Sequence, residues 1–194
     1  MRLVLASASP RRAELLAAAG FTFEVSATDV DERVVAGESP RDYVRRLAIG
    51  KSAAALEMLA IHETAVDGGV VIIGADTAVI VDDEILGKPA HDEDAARMLR
   101  RLSGRSHRVL TGVSLRTAER QVVVVEETLV FFRQLAEAEV GWYLASGEGR
   151  DKAGAYAIQG LASRFIPRIE GSYSNVVGLP IARLAELIGS LGLG

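Results

Sequence analysis

A run of strand length, Arg2-Leu3-Val4-Leu5-Ala6, is followed almost at once by Ser9-Pro10, and this pairing constrains the fold more than any other feature of the chain. Serine at an N-cap and proline at the first helical position form a helix-start signal, because proline's missing N–H is unpaired there anyway and its φ is already helical. Leu15 and Leu16 then supply an apolar face, and Gly20 is a natural stop. A strand feeding directly into a helix commits the chain to layers, with helices covering a sheet.

The same alternation continues. Phe21 to Ser26 alternates apolar and polar residues like a half-buried strand. Ser39-Pro40 repeats the start signal, with Asp42 placed to complete a capping box. The spacing predicts a helix to about Leu59 with Tyr43, Leu47 and Ala54 on its inner face. Val70 to Ala75 reads as one apolar strand, while Thr77 to Val81 and Glu84 to Leu86 read as two more joined at Asp82-Asp83. Asp92 to Leu102 is helical by period and carries acidic residues in its first turn. Arg108 to Arg116 and Gln121 to Arg133 read as antiparallel neighbours, and Glu137 to Ala145 as a helix. The Gly-rich stretch from Ser146 to Gly178 suggests brief strands near 155–158 and 164–169, and Pro180 opens a last helix ending near Gly189. The expected class is α/β with a mixed sheet, in one structural domain over 1–194 that has a two-lobe shape.

Composition removes several function classes. The chain has 194 residues and is 49% hydrophobic, but no run approaches the roughly 18 apolar residues of a membrane span. The N-terminal apolar run is too short for a secretory signal, and with no cysteine the chain is read as cytoplasmic, with no membrane association. Net charge is −4 without a block of like charge, so no nucleic-acid partner is expected. Of 22 basic residues only Lys51, Lys88 and Lys152 are lysines. Arginine serves as the general surface cation, and the remaining lysines suit places that want a compact point charge.

Five segments carry candidate chemistry. In Ser7-Ala8-Ser9-Pro10-Arg11-Arg12, a helix N-terminus combines with two hydroxyls and two guanidinium groups, which are phosphate-binding parts; the Gly-rich Walker pattern is missing. Gly74-Ala75-Asp76-Thr77 places a carboxylate where an apolar strand is expected to end; such a group is costly unless paired, and suits a metal ion or a general base. Asp31-Glu32 offers hard oxygen donors of the kind magnesium takes. Leu86-Gly87-Lys88-Pro89 displays a lysine on a turn, and Gly-flanked Gln159 offers an amide that both donates and accepts, as reading a uracil-like edge requires. Each segment has an ordinary structural reading as well, from capped helix to solvated turn. His62, His91 and His107 lie too far apart to suggest a metal site, and Trp142 and Phe131-Phe132 are expected in the core.

Taken in order, these segments resemble the Maf family of nucleotide pyrophosphatases: Leu5 to Arg12 its opening motif, then Gly74 to Thr77, Leu86 to Pro89, Ser103-Gly104-Arg105-Ser106-His107, Asp151 to Gly160, and Ile169 to Pro180 as the closing one. The resemblance covers nearly the whole chain. It implies a fold like that of the inosine triphosphate pyrophosphatases, an elongated mixed sheet flanked by helices with two lobes around a cleft. It implies cleavage of a nucleoside triphosphate to the monophosphate and pyrophosphate, with Mg2+ or Mn2+ as cofactor and a homodimer as the assembly. By the same resemblance Asp76 is the catalytic proton acceptor, and Glu32 and Asp76 are metal ligands. Ser7, Arg11, Arg12, Lys51, Thr77, Lys88 and Gln159 are substrate contacts. Gln159 together with Gly171-Ser172-Tyr173 is similar to the branch acting on dTTP and UTP; the branch acting on methylated GTP usually carries Glu at that point. Ala162 departs from the family's usual glycine. Two other functions stay open: a nucleotide-sensing regulator linked to cell division, and a pyrophosphatase for modified purine triphosphates.

Overall fold

The structure is a computed structural model that describes residues 2–62 and 69–190. Seven strands and six α-helices are formed among the described residues, and the strands make one mixed sheet in the order β2-β1-β3-β5-β6-β7, with β4 paired to β3. The elements are β1 (Arg2–Ala6), α1 (Pro10–Ala18), β2 (Glu24–Val25), α2 (Pro40–His62), β3 (Val70–Val81), β4 (Glu84–Leu86), α3 (Asp92–Leu102), β5 (Ser106–Arg116), β6 (Gln121–Phe131), α4 (Glu137–Ser146), β7 (Arg168–Glu170), α5 (Tyr173–Val177) and α6 (Ile181–Ser190). The expected α/β class with a mixed sheet is what forms. No helix among the described residues is long and apolar enough to cross a membrane.

The chain divides into two compact units: Met1–Asp76, Thr111–Glu126 and Gly178–Gly194 form the first, and Thr77–Leu110 with Glu127–Val177 the second. In the first unit β1 pairs in parallel with both β2 and β3. Alternation along β1 separates two apolar clusters. Leu3 and Leu5 join Val71, Ile73, Leu16 of α1, and Leu184, Leu187 and Ile188 of α6. Val4 and Ala6 join Ile72 and Ala55 of α2. Thus α1 and α6 cover one face of the sheet and α2 the other. The second unit has its own core, where Ala95, Ala96, Met98, Leu99 and Leu102 of α3 meet Val140 and Tyr143 of α4 and the rings of Phe132, Tyr156 and Phe165.

Several local expectations change. Val70 to Val81 is a single strand, so Asp76 lies inside β3 rather than at a strand end. The half-buried strand expected from Phe21 shrinks to Glu24–Val25, since Phe21 and Phe23 turn into the apolar cluster instead. No strand forms at 155–158: Gly154 and Ala155 both take positive φ, which breaks extended backbone and makes a 3-10 turn. Trp142 is 41% exposed, with the Arg164 guanidinium 4.5 Å above its ring, so it is not a core residue. The expected hairpin at Asp82-Asp83 forms with φ of 53° and 61°, the backbone that a two-residue β-turn demands.

Candidate active site

Two glycines let α2 lie directly on the sheet. A Cβ at Gly74 would stand 2.2 Å from the Ala48 carbonyl oxygen and 2.7 Å from the Ser52 nitrogen, and one at Gly112 would stand 2.3 Å from the Val44 carbonyl oxygen. No larger residue fits without moving the helix. Two positions beyond Gly74, and therefore on the same face of β3, comes Asp76. The helix meets it with a buried stripe of Val44, Leu47, Ala48, Lys51, Ser52 and Ala55. This stripe differs in phase from the expected face of Tyr43, Leu47 and Ala54. Two of its members are polar, and the ordinary apolar period does not anticipate that.

The polar members meet buried partners. Lys51 Nζ donates to Asp76 Oδ1 at 2.7 Å and lies 2.7 Å from Glu32 Oε1. Lys51 and Asp76 are each only 7% exposed, while the Glu32 side chain is half exposed. One ammonium therefore ties together two carboxylates, one from mid-strand β3 and one from the loop before α2. Burial pushes the Asp76 carboxyl above its usual range; Lys51 and then Arg12 pull it back, and the negative charge of Glu32 adds to the rise.

The opening loop is built around Arg12. Ser9 stands at the N-cap of α1 as expected, but its hydroxyl makes no capping bond. The working hydroxyl is that of Ser7, which accepts from the Ser9 N–H at 3.2 Å and from Arg12 Nη1 at 2.9 Å. Arg12 is buried and also donates from Nε to the Gly178 carbonyl at 2.8 Å. Desolvation lowers its pKa, the attraction of Asp76 opposes that, and neighbouring Arg11 adds to the lowering. Arg12, Glu32, Lys51 and Asp76 thus form one charged cluster in the first unit, with the Ser7 hydroxyl bonded to Arg12 and Arg11 beside it.

The remaining sequence candidates belong to the second unit. Thr77 is half-buried on β3, Lys88 is exposed on the loop after β4, and Gln159 is exposed on the turn that follows the 3-10 segment Ala153–Ala155. Behind that turn, Glu148 takes the Leu161 N–H at 2.9 Å and accepts from the Tyr143 hydroxyl at 2.9 Å, which holds the segment firmly. A Cβ at Gly160 would fall 2.1 Å from the Glu148 carboxylate, which explains the glycine.

Sequence reasoning missed Tyr43 and Arg46 of α2, whose side chains bond the backbone of the Glu32 loop. No motif marks them. Their signal is only the three-residue spacing on the first turns of a helix.

The fold is α/β, and its first unit concentrates buried opposite charges on one strand and the helix packed against it. The chain belongs to the family of Maf-like proteins, whose sequence profile matches residues 2–191. It is 47% identical to a Symbiobacterium thermophilum protein named dTTP/UTP pyrophosphatase, over 98% of this chain and 94% of that one. It is 48% identical to a Shewanella oneidensis protein of the same name over the full length of both, and 49% identical to one from Anaeromyxobacter dehalogenans over 98% of this chain and 94% of that one. Among solved structures, that of the Staphylococcus aureus Ham1 protein aligns with a TM-score of 0.45 and 17% identity, covering 68% of this chain and 72% of that one.

Proposed function

We propose that this chain is a dTTP/UTP pyrophosphatase, hydrolysing the nucleoside triphosphate to the monophosphate and pyrophosphate. The observation that carries the chemistry is Asp76, a buried carboxylate held by Lys51 with Arg12 near enough to act on it electrostatically. A purely structural strand has no use for such a group, which costs free energy even when paired. Relatives nearly half identical over nearly their whole length are named dTTP/UTP pyrophosphatase, which supports the substrate class.

In this reading Asp76 is the general base. It takes a proton from a water whose oxygen forms the new bond to the α-phosphorus, while the bond from that phosphorus to the bridging oxygen breaks and pyrophosphate leaves. Its raised pKa brings it nearer to neutrality, where a base works best. Ser7, Arg11, Arg12 and Lys51 bind and neutralise phosphate oxygens, and charge placed there in advance stabilises the transition state. Thr77, Lys88 and Gln159, all of the second unit, are assigned to substrate binding as well, and the amide of Gln159 suits a pyrimidine edge.

The donor set fits a divalent cation. Glu32 and Asp76 converge on one nitrogen at 2.7 Å each, so two hard oxygen donors already share a locus. A magnesium-type ion is commonly held by one or two carboxylates, with waters and phosphate oxygens completing its shell. When bound, Mg2+ or Mn2+ would supply positive charge against the phosphates and their developing charge. Glu32 and Asp76 would hold it.

A panel of triphosphates with Mg2+ or Mn2+, read by pyrophosphate release, tests the proposal. Preferred turnover of dTTP and UTP is expected. Release from none of them refutes enzymatic function, and preference for a purine refutes the substrate assignment.

A further inference from the structure

Glu32 sits in a loop with no regular secondary structure, yet its position is closely determined. Three successive backbone carbonyls there each accept from a side chain of α2. Arg46 Nη1 donates to the Asp31 carbonyl at 3.3 Å, Tyr43 Oη to that of Glu32 at 3.0 Å, and Arg46 Nη2 to that of Arg33 at 3.0 Å. Tyr43 and Arg46 are three apart on the helix, so they share a face, and the guanidinium lies 5.6 Å from the centroid of the Tyr43 ring. Arg46 is fixed in turn by Glu38, which accepts from Nε at 2.6 Å and from Nη2 at 2.8 Å. The same helix carries Lys51, which receives the Glu32 carboxylate. One helix therefore fixes both the backbone of the loop and the end of its functional side chain.

We infer that Tyr43 and Arg46 are positioning residues that clamp the Asp31–Arg33 backbone so that the Glu32 carboxylate is presented ready-made to a divalent cation. The inference rests on the assignment of Glu32 as a metal ligand. An exposed loop free to move would lose conformational entropy on binding, and clamping it beforehand removes that cost. Its fixed geometry is what outer contacts contribute at metal sites generally.

The test is direct Mn2+ binding to the full chain, read by electron paramagnetic resonance, in the wild type, Tyr43→Phe, Arg46→Met and Glu32→Gln. Each bond lost is expected to weaken binding about 2- to 10-fold, the size of one ordinary hydrogen bond. The metal concentration for half-maximal activity should rise equally, with kcat recovering at saturating metal. Adding Tyr43→Phe or Arg46→Met to Glu32→Gln should weaken binding no further. Unchanged Mn2+ affinity in Tyr43→Phe and Arg46→Met, with clear weakening in Glu32→Gln, overturns the clamp and leaves the ligand assignment standing. Unchanged affinity in Glu32→Gln itself overturns both.

Discussion

Arg12, Lys51 and Asp76 in the first unit and His107, Thr128 and Asn175 in the second are all less than 9% exposed, but only the first group is buried as charges. In the second unit, burial pushes the His107 imidazole down to about 3, so it is neutral, and its Nε2 shares a 2.8 Å hydrogen bond with the Tyr156 hydroxyl. Asn175 Nδ2 donates to the Val109 carbonyl and to Thr128 Oγ1 at 3.1 and 3.0 Å. A neutral buried polar group costs less than a buried charge, even where one atom, His107 Nδ1, has no hydrogen-bond partner. A buried charge costs several kcal/mol unless it is compensated, which is why three of them in one unit support the proposed chemistry. His107 lies in a segment that resembles a family motif, but its setting is that of a core residue, with the edges of the Phe132 and Tyr156 rings about it.

The largest expected effect tests the charged group. Asp76→Asn keeps shape and most hydrogen bonding while removing the base, and turnover should fall roughly 10²- to 10⁴-fold. The fold should persist, because Lys51 retains Glu32 as a partner. Near-wild-type pyrophosphate release from this variant would make the buried charges structural after all.

Lys51→Met comes next. It leaves Asp76 buried without its ammonium and should cost about 3 kcal/mol, the lower end for breaking a buried pair, as Glu32 reaches solvent. Chemical denaturation gives the number. The sign of the pH effect is also defined: Lys51 lowers the Asp76 pKa, so its loss raises it further, and the acid limb of residual kcat/KM must move to higher pH. A limb that stays in place would mean that some other group titrates there.

These two residues also show where sequence reading stopped. The α3 boundaries, the β1–α1 unit and the Asp82-Asp83 hairpin were legible, because each rests on contacts within a few residues. The sequence suggests two strands where β3 is one because an aspartate in a strand interior is costly, and the compensating Lys51 lies 25 residues earlier on another element. The inner face of α2 differs in phase from the expected one for the same reason: Lys51 and Ser52 look like surface residues until Asp76 and Ser114, 2.9 Å from the Ser52 hydroxyl, are placed against them. At the site, the family resemblance points to Ser7, Arg12, Glu32, Lys51 and Asp76 but not to their geometry. Tyr43 and Arg46 act on backbone carbonyls, which carry no residue identity, so no motif marks them.

For the neutral group the prediction is a pH dependence. Above pH 6.5 His107 is neutral both folded and unfolded and contributes no slope. Below it the unfolded chain takes up a proton that the folded chain refuses until about pH 3, so stability falls with falling pH across that window, by at most about 1.4 kcal/mol per unit. His107→Gln can keep the bond to Tyr156 without the titration, and its stability should decline less between pH 6 and 4 than that of the wild type. Parallel profiles would show that the imidazole is protonated in the fold.

The smallest effect belongs to charges that are paired but not buried. Arg100 donates from Nε and Nη2 to Glu137 at 2.9 and 2.7 Å, a geometry as good as that of Lys51 with Asp76, yet both side chains are more than half exposed. Water already solvates these groups when they are apart, and ordering two long side chains costs entropy, so close approach adds little. Arg100→Gln should leave the unfolding midpoint within error of the wild type, and any small shift should vanish as added salt screens the pair. A loss comparable to that of Lys51→Met would mean that geometry rather than burial sets the worth of an ion pair in this protein. The contrast between the charged and neutral interiors would then lose its physical basis.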